Sequence, residues 1–295
     1  DIFQPDVFLE DLENNFCIQQ SSNLGGASGD EKIVGQEDCL YLDIRAPIDR
    51  DNLKPVMFWI HGGGNTSGLK DLYDFSGLVR SQDVLVVSIN YRLGPFGWFT
   101  HPAIQSFQLG DDKSSNFGTL DIIKALEWVN KNIEKFGGNP ANITIFGESA
   151  GAHNVLSLLV APQANGLFHK AISQSGYTTS LSLSEAYDKD ANNIKYINSK
   201  KIEEKILNKK SKSLEDIRSI FKNMDPYVFY KNYLDYDFQE VPLLTNDGIV
   251  IPSNGLLESL KNPTSQSIPI MIGSNRDEVK LWIGTSKYFI EPKFS

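Results

Sequence analysis

The residues best suited to chemistry form the pentapeptide Gly-Glu-Ser-Ala-Gly at positions 147–151. A β-branched run at residues 143–146 precedes it, and a helical pattern starts at residue 150. A serine on a tight strand-to-helix turn has its hydroxyl held clear of the sheet, and small neighbours let the strand and helix approach closely. The pattern predicts that Ser149 is a nucleophile, because the helix N-terminus below it favours developing negative charge.

A run of three glycines predicts the partner of this serine. The segment His61-Gly62-Gly63-Gly64 directly follows an apolar run at residues 56–60. Acyl transfer creates a tetrahedral oxyanion that backbone N–H groups must meet, and glycines let the backbone approach without side chains. A plain glycine-rich turn is the alternative, but the serine turn further along the chain favours an oxyanion-binding loop.

Strand-like and helix-like segments alternate along the chain. The predicted helices occupy residues 121–136 and 150–160, and the predicted strands occupy residues 40–45, 56–60, 84–89, 143–146, 170–174 and 268–272. This alternation predicts an α/β fold with a mostly parallel sheet covered by helices on both faces. We expect residues 181–240 to form a helical, cap-like region and residues 1–295 to form a single domain.

Composition narrows the classes of partner. The net charge is −9 and the pI is about 5.0, which argues against nucleic acid because phosphate binding needs a basic surface. No apolar run approaches the roughly 18 residues of a membrane span. We expect a small-molecule substrate, with no metal ion and no cofactor. The sequence does not predict the oligomeric state.

Two cysteines, Cys17 and Cys39, allow two interpretations. They are free thiols, as in most cytosolic proteins, or they form a disulfide that closes a polar, glycine-rich segment. Such a disulfide would stabilise the fold by about 3 kcal/mol in the chain-entropy model. Their spacing alone does not decide between the two.

These motifs and several further blocks resemble the type-B carboxylesterase family, which includes the cholinesterases. The likeness extends from about residue 17 to residue 282, and its blocks lie at residues 37–42, 90–97, 116–118, 136–140, 146–151 and 174–176. The resemblance implies the α/β-hydrolase fold and the hydrolysis of carboxylic esters through an acyl-enzyme.

The resemblance also implies roles for residues around the serine. Ser149 is the nucleophile, and Gly63, Gly64 and the N–H of Ala150 form the oxyanion hole. Glu148, next to the nucleophile, matches a family residue that assists electrostatically.

An acid and a disulfide are implied in the same way. The family's acid is the last residue of a G-x-x-x-D-E block, which here is Glu278, with Asp277 as a structural carboxylate beside it. Glu278 would orient the catalytic base and stabilise its charged form. The family bridges its first two cysteines, so the resemblance implies a Cys17–Cys39 disulfide and an exported protein.

Two departures from the family bear on the substrate. Asn65 follows the three glycines, where relatives usually carry an aromatic or small apolar residue. Residues 18–38 contain no aromatic residue, whereas cholinesterases place a tryptophan there to bind choline. A choline ester is therefore not the expected substrate. Asn65 and Asn142 both begin glycosylation sequons, and we expect both to be unmodified.

The catalytic histidine is missing from its expected place. An α/β-hydrolase triad runs in the order serine, acid, histidine, but all four histidines precede Glu278, namely His61, His101, His153 and His169. We therefore expect an incomplete piece of an enzyme, truncated at both ends, with an open sheet at its C-terminal end. Such a piece would be nearly inactive by itself.

Two other functions fit the same fold. The family contains non-catalytic adhesion and binding modules, which typically lose the nucleophile that Ser149 supplies here. An acyltransferase or an amidase could use the same triad, and the sequence does not separate leaving groups.

Overall fold

The fold is built on a central β-sheet. The computed structural model describes residues 15–22, 25–49, 52–188, 198–208, 210, 212–234, 244–261, 267–278 and 280. The strands in these ranges are β1 (Gln19–Gln20), β2 (Ile33–Val34), β3 (Leu42–Arg45), β4 (Lys54–Ile60), β5 (Leu85–Ile89), β6 (Gly138–Glu148), β7 (Lys170–Gln174), β8 (Ser180–Ser182), β9 (Leu244–Asn246) and β10 (Ile270–Gly273).

Six of these strands form the central sheet, in the order β10-β7-β6-β4-β5-β3. All neighbours are parallel except the edge strand β3, which pairs antiparallel with β5. Strands β1 and β2 form a small antiparallel pair, and β8 and β9 a small parallel pair. The structure confirms the predicted α/β-hydrolase fold with a mostly parallel sheet.

Helices surround the sheet. They are α1 (Ser76–Gln82), α2 (Gly94–Gly97), α3 (Pro102–Gln105), α4 (Phe117–Asn132), α5 (Ala150–Leu158), α6 (Leu183–Asp188), α7 (Ser199–Ile206), α8 (Leu214–Asn223), α9 (Pro226–Leu234) and α10 (Leu256–Lys261). Helices α6 to α9 lie in the segment where the sequence predicted a helical, cap-like region. No helix in the described ranges is long and apolar enough to cross a membrane.

Both faces of the central strands are buried, which explains their continuous apolar sequences. On β4, Phe58 and Ile60 pack into the large core cluster with α4 and α5, represented by Leu126 and Val155. The alternate residue Trp59 packs into a second cluster on the other face, with Val79 and Phe146 among its members. The alternation of side chains along a strand divides the core in this way.

The strand boundaries differ from the prediction at two places. Strand β6 begins at Gly138 rather than near residue 143, because Gly138 pairs with Lys54 across an irregularity in the ladder. Strand β10 begins at Ile270 rather than at residue 268 and lies at the edge of the sheet. Its side chains Ile270, Met271 and Ile272 are 47%, 66% and 68% exposed.

Candidate active site

Ser149 occupies a strained turn between β6 and α5. Its φ of 56° and ψ of −121° lie in a region that side chains with a Cβ rarely adopt. Two backbone hydrogen bonds hold the turn: Ser149 N donates to Gln174 O at 2.9 Å, and His153 N donates to Ser149 O at 3.0 Å. Backbone strain of this kind persists where the surrounding structure over-determines it, which is typical of active sites.

The two glycines of the pentapeptide let the strand and helix approach. A Cβ added at Gly151 would lie 2.1 Å from the carbonyl oxygen of Ile60, and one added at Gly147 would lie 2.6 Å from Gly151. Both contacts are with backbone atoms, which cannot rotate away. The start of α5 therefore lies directly against the carboxyl end of β4, next to the glycine run.

The glycine loop, defined here as residues 61–70, lies beside Ser149. A Cβ added at Gly62 would lie 3.4 Å from Ser149 Cβ and 3.1 Å from Glu148 Oε2. Gly63 and Gly64 have φ values of 95° and 64°, which only glycine adopts readily. The loop folds back on itself through two hydrogen bonds to Gly63 O from the N–H groups of residues 66 and 67, at 3.1 and 3.0 Å.

Among the residues that the structure describes, the backbone donors next to Ser149 that have no acceptor include the N–H groups of Gly63, Gly64 and Ala150. Ala150 is the first residue of α5, so its N–H is one of the unpaired donors that every helix start presents. The three positions match those that the resemblance assigned to the oxyanion hole.

Glu278 and Ser149 both lie at the carboxyl ends of the parallel strands. Strands β6, β7 and β10 are parallel neighbours, so their carboxyl ends meet there, and Ser175 N donates to Gly273 O at 2.7 Å. The Ser175 hydroxyl and the N–H of Asn275, 2.8 Å from Glu278 Oε1, hydrogen bond to the carboxylate and lower its pKa. These donors stabilise Glu278 in its charged form.

The neighbouring carboxylates behave differently from Glu278. Burial raises the pKa of Glu148, and the negative charge of Glu278 raises it further, so the two carboxylates lie within electrostatic reach. Asp277 instead pairs with Lys280 at 3.0 Å, with its side chain 55% exposed. The structure therefore directs Glu278 towards Ser175 and Glu148, and Asp277 towards solvent.

Two of the four histidines are buried near the site, but their rings pack against tyrosine side chains. The His61 ring stacks on Tyr91 at 4.3 Å, its Nδ1 lies 2.8 Å from Gly62 O, and burial lowers its pKa to about 4. The His153 ring lies 4.0 Å from the ring of Tyr177, and burial lowers its pKa to about 3. Imidazoles this hard to protonate are poor general bases near neutral pH.

The other two histidines lie elsewhere. His101 Nε2 contacts Glu203 Oε2 at 2.8 Å, and its Nδ1 accepts from Ala103 N at 3.1 Å. His169 precedes β7, so it lies at the amino ends of the parallel strands, whereas Ser149 lies at their carboxyl ends. Its Nδ1 accepts from Ile143 N at 3.1 Å. In the described part of the chain, no histidine hydrogen bonds to the Ser149 hydroxyl.

The two cysteines form the disulfide that the resemblance implied. Cys17 and Cys39 have an S–S distance of 2.01 Å and Cα atoms 4.8 Å apart. The sequon at Asn65 is inaccessible, since Asn65 is fully buried and its Oδ1 accepts from Asn154 at 2.9 Å. At the second sequon, the Asn142 side chain accepts a hydrogen bond from Lys170.

The motifs predicted no role for Ser175, whose hydroxyl contacts Glu278. Ser175 directly follows β7 and has a φ of 55°. A serine before a glycine at the carboxyl end of a predicted parallel strand was the available signal. Its meaning depends on which strands are neighbours, and the sequence does not state that.

Comparisons with known proteins identify the family to which the chain belongs. The model of the carboxylesterase family matches residues 11–290. A para-nitrobenzyl esterase of Bacillus subtilis is 38% identical over 262 residues, which cover 88% of this chain and 51% of that protein. Carboxylesterase 1D of Rattus norvegicus is 36% identical over 249 residues, covering 82% of this chain and 42% of that protein.

Solved structures of esterases also resemble this chain. A PNB esterase superposes with a TM-score of 0.75 at 30% identity, covering 95% of this chain and 54% of that one. A Geobacillus stearothermophilus carboxylesterase superposes with a TM-score of 0.74 at 33% identity, covering 88% and 54%. The chain thus spans about half the length of the relatives that it matches. The family match over most of its length, together with the serine turn and glycine loop, establishes that the chain belongs to the carboxylesterase family.

Proposed function

We propose that this protein hydrolyses carboxylic esters through an acyl-enzyme formed on Ser149. The observation that carries the proposal is the set of three unpaired N–H groups, from Gly63, Gly64 and Ala150, beside a serine held in a strained turn. Family membership and the fold support ester hydrolysis as the reaction class.

The reaction follows from the positions of these groups. Ser149 Oγ attacks the ester carbonyl carbon and gives its proton to the base, and the carbonyl oxygen takes up negative charge as the tetrahedral intermediate forms. The three N–H groups donate to that oxygen, and loss of one such donor typically costs about 10²–10³ in rate. Collapse of the intermediate breaks the bond to the alcohol, which leaves with the proton held by the base, and the acyl group stays on Ser149. Water then gives a proton to the same base, attacks the acyl carbon and releases the acid, and the base returns its proton to Ser149 Oγ.

Glu278 serves as the acid that orients the base. The Ser175 hydroxyl and the Asn275 N–H keep Glu278 charged, and a negative carboxylate stabilises an imidazolium beside it. Glu148 adds negative charge next to the nucleophile, where it would also favour a cationic base.

We further propose that the imidazole between Ser149 and Glu278 comes from outside these 295 residues. The contacts of the four histidines and the greater length of the relatives support this. Loss of one triad member can lower turnover by about 10⁴–10⁶-fold, so the 295-residue chain would turn over esters very slowly. The Cys17–Cys39 disulfide supports an exported protein, because such bonds persist in oxidising compartments.

The test is covalent labelling. A complete chain, which carries the proposed histidine as well as these 295 residues, is incubated with a fluorophosphonate, and the modified residue is located by mass spectrometry. We expect an adduct on Ser149 that Ser149→Ala abolishes and Ser175→Ala does not. An absence of adduct, under conditions that label an intact carboxylesterase completely, would refute the enzyme and favour a non-catalytic binding module.

A second measurement tests the source of the base. Hydrolysis of a short-chain aryl ester by residues 1–295 alone is compared with hydrolysis by an intact relative. Turnover near the relative's rate that is lost on His101→Ala, His153→Ala or His169→Ala would show that one of these three histidines is the base.

A further inference from the structure

The side chain of Gln19, in β1, is completely buried and makes four hydrogen bonds. Its Nε2 donates to Cys17 O and to Gly68 O, both at 3.0 Å. Its Oε1 accepts from Ala27 N at 3.1 Å and from Gly68 N at 2.9 Å. A carboxamide has two N–H donors and two acceptor lone pairs, so its capacity is filled. Gln19 therefore hydrogen bonds to both the N–H and the carbonyl group of Gly68.

Gly68 in turn lies tightly against the start of the glycine loop. Its φ is 128°, and an added Cβ would lie 2.2 Å from His61 Nδ1 and 2.9 Å from Gly62 O. Further along the loop, a Cβ added at Gly63 would lie 2.1 Å from Ser67 O. Because these contacts leave no free space, a shift of Gly68 must be passed to the residues that present the N–H groups of Gly63 and Gly64.

The hydrogen bonds of Gln19 connect Gly68 to the disulfide. Cys17, whose carbonyl accepts from Gln19, is bonded to Cys39. Asn90 makes a second connection, since its Nδ2 donates to Cys39 O at 3.0 Å and its Oδ1 accepts from Lys70 N at 2.8 Å. Two buried amide side chains thus connect the end of the glycine loop to the two halves of the disulfide.

We propose that Gln19 is a positioning residue for the reaction, holding the glycine loop so that its N–H groups meet the oxyanion. The inference rests on the proposed function, since it needs the glycine loop to stabilise a charge on the substrate. Oxyanion donors are effective only about 2.7–3.1 Å from the developing charge. If the glycine loop could move by a fraction of an ångström, the reaction would slow even though Ser149 stays in place.

The experiment compares Gln19→Met with the matched control Gln105→Met in the complete chain that carries the proposed catalytic histidine. Gln105 is also a hydrogen-bonded amide: its Oε1 accepts from His101 N at 2.7 Å, and its Nε2 donates to Phe99 O at 3.0 Å. None of the hydrogen bonds of Gln105 reaches the glycine loop. The measurements are the rate constant for fluorophosphonate labelling of Ser149, the melting temperature, and amide hydrogen exchange of peptides from residues 61–70.

We expect Gln19→Met to slow labelling of the folded protein about tenfold or more and to speed exchange in residues 61–70. Gln105→Met should do neither, even where its melting temperature falls as far. If Gln19→Met lowers only the melting temperature and labels at the unchanged rate, the residue is merely structural and the proposal is overturned. Unchanged exchange in residues 61–70 would overturn it equally.

A second variant covers the case in which Gln19→Met does not fold. Gln19→Glu keeps the shape of the side chain and can accept from Ala27 N and Gly68 N, but an ionised carboxylate cannot donate to Cys17 O or Gly68 O. We expect slower labelling than in the unaltered chain, and the ratio of the two rates should move closer to one at lower pH, where a protonated carboxyl donates again. Labelling at the unchanged rate at every pH would overturn the proposal. If the unaltered chain is not labelled at all, the proposed function fails, and hydrogen exchange alone decides whether Gln19 holds the loop.

Discussion

Replacing Gly151 with alanine tests the tight contact between the serine turn and the sheet. The new Cβ would lie 2.1 Å from Ile60 O and 2.7 Å from His61 O. Real Cβ atoms essentially never approach closer than 3.0 Å, so the first contact must open by about 0.9 Å. Ile60 O belongs to the backbone of the central sheet and His61 O to the backbone of the glycine loop, and therefore α5 has to move as a body.

The size of that movement sets the expected effect. Overpacking a core typically costs about 1–3 kcal/mol, and contacts with backbone atoms lie at the upper end or beyond. Ser149 is at the start of the displaced helix, and a misplacement of about 1 Å can lower a rate about 10²-fold. We expect Gly151→Ala to destabilise the fold by about 3 kcal/mol and to slow Ser149 labelling by about 10²-fold.

The assay is fluorophosphonate labelling of the complete chain at a temperature where the variant is still folded, together with urea unfolding. Gly77→Ala is the matched control, because Gly77 is exposed in α1 and an added Cβ would meet nothing within 4 Å. Alanine in a helix should stabilise by about 0.4–1 kcal/mol there and leave labelling unchanged. If Gly151→Ala labels at the original rate and unfolds at the original urea concentration, our account of the turn is wrong.

Three further predictions concern a buried histidine, the disulfide and the paired carboxylates. Unfolded His153 binds a proton near pH 6.5 but the folded residue only near pH 3, so stability falls as pH drops through that window. Between pH 7 and pH 5, the free energy of unfolding of His153→Phe, measured with urea, should therefore fall by about 2 kcal/mol less than that of the unaltered protein. An equal fall in both proteins would contradict this. Replacing Cys17 and Cys39 with serine should lower the free energy of unfolding by about 3 kcal/mol, and an unchanged urea midpoint would refute it. Glu278→Gln should lower the pKa of Glu148 in an NMR titration, because it removes the negative charge that raises it; an unshifted pKa would show that the two do not interact.

Short-range sequence determined the elements that carry the nucleophile. The turn at Ser149 was predictable because the strand, the turn and the helix follow one another directly, and each has its own local signal. The apolar runs predicted the central strands for the same reason, since strands buried on both faces are continuously apolar. The ends of β6 were less predictable, because its first residue, Gly138, pairs with Lys54 across an irregular ladder.

Only the tertiary structure decided which distant groups meet. The sequence placed Asp277 and Glu278 side by side, but parallel pairing of β6, β7 and β10 brings Glu278 near Ser175 and Glu148. The spacing of the cysteines left their state open, and the role of Gln19 gave no local signal at all. Gln19 acts on Gly68, 49 positions away. Contacts of this kind depend on how whole elements pack, so no short segment of sequence can specify them.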